Sequence, residues 1–261
     1  MDARPALPAI ERGSGTPTLV FLHYFGGSSA DWDLVAARLA PAFRCLLPDL
    51  RGFGTSASDD VPDFWSVGDA ADDVAALLAT RALGDFVLVG HSMGGKIALA
   101  LAARGMAGLR RVILVAPSPP TPEPIDETVR ARLLATHGER AAAEEAAKEI
   151  TAQPPGSSLF ERVVADNLRT APGAWRSWLV TGSKEDISEA VTRIAVPVLA
   201  VSGADDRTIP TAVIRREVAG RVPGARLVEV AGARHLIPLD RPEELSRLVA
   251  DFAGPPAPGQ A

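Results

Sequence analysis

The pentapeptide Gly90-His91-Ser92-Met93-Gly94 constrains this chain more than any other stretch, because an apolar run, 86–89, leads into it and a helix-period run, 96–104, leads out. A chain passes from strand to helix in so few residues only through a sharp, strained turn, and the flanking glycines make room where larger side chains would collide. Such a turn pushes the Ser92 hydroxyl into the open. It also sets Ser92 at a helix N-terminus, where free N–H groups and the helix dipole favour nearby negative charge. The pattern points to a nucleophilic serine at the end of a strand.

Apolar segments at 18–25, 43–50, 85–90, 111–116, 198–202 and 226–230 predict strands, and helix-period segments at 30–39, 67–81, 94–104, 210–219 and 242–252 predict helices between them. Near-continuous apolar strands such as 112–115 belong to parallel sheets covered on both faces, so the fold class is α/β with a mostly parallel central sheet flanked by helices. The alternation breaks once. Residues 119–195 read as helices without strands, opened by Pro119, Pro120, Pro122 and Pro124 and continued by helical patterns at 128–135, 141–150 and 159–168. The expected organisation is a core at 1–118 and 196–253, an inserted helical lid at 119–195, and a disordered tail at 254–261, rich in proline and glycine. Trp175 and Trp178 lie three apart and share a helix face, either as a pocket wall or as core anchors.

Bulk properties exclude several classes. The 261 residues carry a formal charge of -5 with both signs interspersed, so no basic face is expected to bind nucleic acid. Cys45, the single cysteine, lies in an apolar stretch and reads as a core residue, with no disulfide and no multi-cysteine metal site expected. Residues 1–10 lack a basic start followed by an apolar core, and no apolar run reaches about 18 residues, so a cytoplasmic protein without membrane attachment is expected. Monomer and homodimer both stay open.

A serine hydroxyl needs a base, and the base needs an orienting carboxylate. Of four histidines, His91 lies inside the turn beside Ser92, His137 falls in the insertion without a motif, and His23 ends the first strand before a glycine loop, where it reads as a backbone brace. His235 follows the strand at 226–230 and is the expected base. For the acid, Asp205 and Asp206 both follow the strand at 198–202 and lie at the same sheet edge as Ser92. The strand at 111–116 is followed by Ala116-Pro117-Ser118-Pro119, which offers no carboxylate.

These residues, with Leu22-His23-Tyr24-Phe25-Gly26-Gly27, Pro48-Asp49-Leu50-Arg51-Gly52-Phe53-Gly54, Gly203 with Pro210, and Pro238 with Pro242, make the chain resemble the α/β-hydrolase superfamily over roughly 18–252. The branch it resembles is that of small bacterial esterases, lactonases and cofactor-free haloperoxidase-like enzymes. The resemblance implies Ser92, Asp206 and His235 as catalytic residues in that chain order, with Asp206 preferred over Asp205. It implies the backbone N–H groups of Phe25 and Met93 as the oxyanion hole, although Tyr24 stands where many relatives have glycine. Asp49 and Arg51 are implied as loop braces.

The implied chemistry is hydrolysis of carboxylic esters or lactones through an acyl-enzyme, without cofactor or metal. Perhydrolysis, carbon-carbon bond hydrolysis and a small-ligand receptor are the rival readings on this scaffold. A pocket lined by Phe25, Met93, Trp175, Trp178 and Leu236 would take small, uncharged, partly apolar substrates.

Overall fold

The computed structural model describes residues 6–58, 65–81 and 83–254. The tail expected to be disordered lies, from residue 255 onward, outside the described residues.

Among the described residues, seven strands form one sheet: β1 (Ala9–Arg12), β2 (Thr18–Leu22), β3 (Arg44–Pro48), β4 (Phe86–His91), β5 (Leu109–Val115), β6 (Val198–Gly203) and β7 (Arg226–Val230). Their spatial order is β1-β3-β2-β4-β5-β6-β7, parallel throughout except for β1, which runs antiparallel to β3 with Ile10 opposite Leu47. The apolar runs are strands because both faces are covered. Leu19, Phe21, Val87, Val89, Ile113 and Val115 point to one face, while Val20, Leu22, Leu88, Val112 and Leu114 point to the other.

The first face is covered by α1 (Asp33–Leu39) and the last helix, the second by α2 (Val67–Thr80) and α3 (Met93–Ala102). Ser66 and Asp69 close a capping box at the start of α2, each accepting from the other's backbone N–H, which satisfies donors the first turn would otherwise leave free. Cys45 is fully buried in the first layer, where loss of solvent pushes its thiol up to about 12.

Between β5 and β6 the chain is helical: α4 (Glu127–Ala135), α5 (Arg140–Ile150), α6 (Ser158–Arg169) and α7 (Pro172–Val180). After β6 come α8 (Thr211–Val213), running into a π-helical turn at Ile214–Ala219, then α9 (Ile237–Asp240) and α10 (Pro242–Ala253). Leu245, Val249 and Ala253 recur every four residues on the buried side of α10.

Three sequence expectations are corrected. The strand expected at 18–25 ends at Leu22, because from His23 the chain turns, with Gly27 N–H donating to Tyr24 O at 3.2 Å. The helix expected at 30–39 begins as a 3₁₀ turn at Ser29–Trp32, held by a Ser28–Asp31 capping box. The helix expected at 210–219 is mostly π-helical.

Candidate active site

Ser92 sits between β4 and α3 with φ +52° and ψ -114°, a conformation that non-glycine residues adopt only when their surroundings enforce it. The enforcement is visible on both sides. A Cβ on Gly90 would fall 2.4 Å from Gly94 O, and one on Gly94 would fall 2.5 Å from Leu22 O, so the turn closes only with glycine at both positions. Ser92 N–H donates to Val115 O, and Ser92 O accepts from Gly95, Lys96 and Ser118 N–H groups at 2.8–3.2 Å. Met93 opens α3, so its N–H has no intrahelical acceptor.

His235 lies after β7 and is almost fully buried. Its Nδ1 pairs with Asp206 Oδ2 at 2.8 Å, and the other oxygen of Asp206 accepts from Thr208 and Ile209 N–H groups at 2.8 and 3.0 Å. With Nδ1 donating to the carboxylate, Nε2 carries the lone pair. Burial pushes the imidazole down, but the charge and hydrogen bond of Asp206, with Glu123 and Asp240 adding, leave it net above its ordinary 6.5. Asp205, the competing acid, is exposed. A Cβ on Gly203 would fall 2.3 Å from Arg234 O, so the glycine lets the β6 turn lie against the loop that carries His235.

The same loop is pinned from three sides. Asp240 accepts from Thr151 Oγ1 at 2.6 Å and from Ala152 and Arg234 N–H groups at 2.9 Å, and Leu236 N–H donates to Ile150 O. His91, which sequence reasoning passed over, donates from Nε2 to His235 O at 2.9 Å, with the two rings 5.3 Å apart. Burial, with His235 adding, holds His91 well below 6.5, so it stays neutral and keeps that tautomer. His23 braces the opposite loop: Nδ1 donates to Tyr24 O at 2.8 Å and Nε2 accepts from Leu50 N–H at 3.0 Å. Burial lowers its pKa as well. Asp49 accepts from Ser29 and Thr55, and Arg51 pairs with Asp73 through two 2.8 Å bonds, so both act as loop braces.

Ser92 and His235 open on one cavity of about 420 Å³, whose lining includes Tyr24, Phe25, Glu123, Asn167, Trp175, Trp178 and Thr208. Phe25 lies 4.4 Å from Trp175 and 6.3 Å from Trp178, so the two tryptophans do share a face and form its aromatic wall while also joining the core. Two expected pocket residues are placed elsewhere. Leu236 is fully buried with Tyr24, Phe160 and Leu239, because its backbone is tied to Ile150 and its side chain turns into the core. The Met93 side chain lines another apolar cavity, with Phe53, Ile97 and Trp178. Glu123 was missed as well. It belongs to the proline-rich stretch after β5, five residues beyond Ser118, and its approach to His235 depends on a fold that no local pattern announces. Among the described residues, no group of three or more His, Cys, Asp or Glu is placed to hold a metal.

A family model described as the alpha/beta hydrolase family matches residues 19–248. The chain belongs to that family. A bifunctional esterase/perhydrolase from Acinetobacter calcoaceticus is 27% identical over 253 residues, covering 90% of this chain and 91% of that protein. A 2-(acetamidomethylene)succinate hydrolase from Mesorhizobium japonicum is 27% identical over 266 residues, covering 95% and 92%. Among solved structures, an enol-lactonase from Burkholderia xenovorans LB400 matches with TM-score 0.83 and 26% identity over 94% of this chain and 95% of the other. An esterase from Exiguobacterium antarcticum matches in fold with TM-score 0.85 at 20% identity, covering 94% of each chain. This alpha/beta hydrolase thus has esterase, lactonase and hydrolase relatives, which support a hydrolytic enzyme. Among its described residues, no helix is long and apolar enough to cross a membrane.

Proposed function

We propose that the protein is a serine hydrolase that cleaves carboxylic esters or lactones of small, partly apolar substrates through an acyl-enzyme on Ser92. The observation that carries this is the His235 Nδ1–Asp206 Oδ2 pair at 2.8 Å beside a serine held at φ +52°, both Ser92 and His235 facing one cavity. His235 Nε2 takes the Ser92 proton as Oγ attacks the carbonyl carbon. The N–H groups of Met93 and Phe25 face the developing oxyanion. The carbon–oxygen bond of the ester then breaks and the leaving oxygen takes the proton from His235; water attacks the acyl-enzyme with His235 again as base, the acyl–Oγ bond breaks, and His235 returns the proton to Ser92.

The helical segment between β5 and β6 supplies Trp175, Trp178 and Asn167 to the cavity and acts as its lid. Peroxide could replace water in the second step without any change of residues, and the name of the Acinetobacter relative favours this second reading. Labelling with a fluorophosphonate tests the proposal. Modification of the wild type but not of Ser92→Ala, together with turnover of p-nitrophenyl butyrate, is expected; equal ester turnover by Ser92→Ala would overturn it.

A further inference from the structure

The cavity that holds Ser92 and His235 carries two carboxyl groups, Glu123 and Asp126, and among its described lining residues no lysine or arginine. Asp126 is spent locally: it is exposed and caps α4, accepting from Thr128 N–H at 2.8 Å. Glu123 is different. Its backbone N–H is fixed to Ser183 O at 2.7 Å, its Oε2 accepts from Ser118 Oγ at 3.0 Å, and Ser118 is itself fully buried. The four prolines around it, Pro119, Pro120, Pro122 and Pro124, stiffen the backbone that presents it.

Two cations act on Glu123 through space, and both are committed elsewhere. Lys96 Nζ donates to Glu185 O at 2.6 Å and to Thr121 O at 3.2 Å, while Arg130 donates to Leu179 O and Ser183 Oγ. Neither lines the cavity. Burial pushes the Glu123 carboxyl above its usual range, and the Ser118 hydroxyl, His235, Lys96 and Arg130 pull the other way without restoring it. Glu123 is half-buried, and a carboxylate partly withdrawn from water gains from a positive charge brought into the cavity and loses from a negative one. Phe25, Trp175 and Trp178 line the same cavity, and the faces of tryptophan and phenylalanine also attract cations.

We propose that Glu123 is the specificity-determining residue of this site, and that the ester or lactone it serves carries an ammonium group in preference to a carboxylate. The inference rests on the reading of Ser92 as the acyl-accepting nucleophile. Three p-nitrophenyl esters of matched length test it: the butanoate, the 4-(trimethylammonio)butanoate and the hemisuccinate. In the wild type, kcat/KM for the cationic ester is expected to exceed that for the anionic one at least tenfold. In Glu123→Gln that ratio is expected to fall at least tenfold, and Glu123→Asp is expected to restore part of it. A merely structural role would lower all three esters together and leave the ratio in place.

A wild type that prefers the hemisuccinate overturns the inference without any variant being made. So does a ratio unmoved by Glu123→Gln. Turnover of the neutral ester by Ser92→Ala defeats instead the reading of the nucleophile, and the inference falls with it.

Discussion

Ser92 is held in a conformation it would not choose, and the strain is borne by two glycines and four backbone hydrogen bonds rather than by any flexible side chain. A site built this way should respond to chemistry more than to packing. Ser92→Ala and His235→Ala are each expected to lower kcat on p-nitrophenyl butyrate by about 10⁶-fold, and Asp206→Asn by about 10⁴-fold, with the unfolding transition of Ser92→Ala near that of the wild type. A loss below tenfold in His235→Ala would show that another group takes the proton. The same pair sets the pH profile. In the proposed mechanism His235 must be neutral to act, and its pKa in the folded protein lies above 6.5, so kcat/KM is expected to fall as pH drops through a value above 6.5. Asp206, Glu123 and Asp240 raise that value against burial, which lowers it. Asp206→Asn should therefore move the acid limb to lower pH, and Glu123→Gln should move it the same way by less; a limb that stays put in Asp206→Asn would contradict the assignment. Ser92 and His235 were legible in the sequence because strained turns and strand ends leave short signatures. His91 and Glu123 were not, because both act on His235, which lies 144 residues beyond His91 and far along the chain from Glu123, where no local pattern reaches.

At the scale of elements, the alternation of strand and helix was legible because each parallel strand is buried on both faces and so reads as a continuous apolar run. β1 escaped notice for the converse reason: it is a four-residue edge strand, Ile10 is exposed, and Glu11 earns its place through ion pairs with Arg44 and Arg81 that no periodicity shows. The π-helical turn after α8 is likewise set by packing and not by a local pattern. The helical segment between β5 and β6 is clamped at its two ends by one residue of α3. Lys96 is fully buried, burial lowers its ammonium to about 8, and it donates to Thr121 O before the segment's first helix and to Glu185 O after its last. Lys96→Met keeps the apolar length but leaves both carbonyls without that donor, at a cost of about 1–3 kcal/mol for each buried group that water does not reach. The variant is expected to melt earlier and to be cleaved by a protease first within residues 117–125 or 182–190. Cleavage that starts instead in the β-sheet core would show that Lys96 supports α3 and not the clamp.

Across the whole molecule, the sheet core and the helical segment are joined by a buried acidic junction. Ser28, on the loop after β2, donates from Oγ to Asp166 of α6 at 2.7 Å and from N–H to Asp31 at 2.8 Å, so two carboxyl groups from distant parts of the chain share one serine. Asp31 is 1% exposed, and burial, reinforced by Asp166 and Asp49, raises its pKa well above 3.8 against the opposing pull of the Ser28 N–H and Arg162. A carboxyl with a raised folded pKa holds its proton in the folded chain after the unfolded chain has released it. Its contribution to stability is therefore full below pH 3.8 and is lost as pH rises toward the folded value, by up to about 1.4 kcal/mol per pH unit. Asp31→Asn retains an oxygen to accept from Ser28 N–H but has no proton to lose. The difference in unfolding free energy, variant minus wild type, is expected to be larger at pH 7 than at pH 4.5 when measured by urea denaturation at constant ionic strength. His23 and His91, which burial holds below 6.5, act in the opposite direction, gaining stability as pH rises to 6.5, but they do so equally in both proteins and cancel from the difference. A difference that stays flat over that range would mean that Asp31 ionises as freely in the folded chain as in the unfolded one, and that burial at the junction between core and helical segment imposes no penalty on its charge.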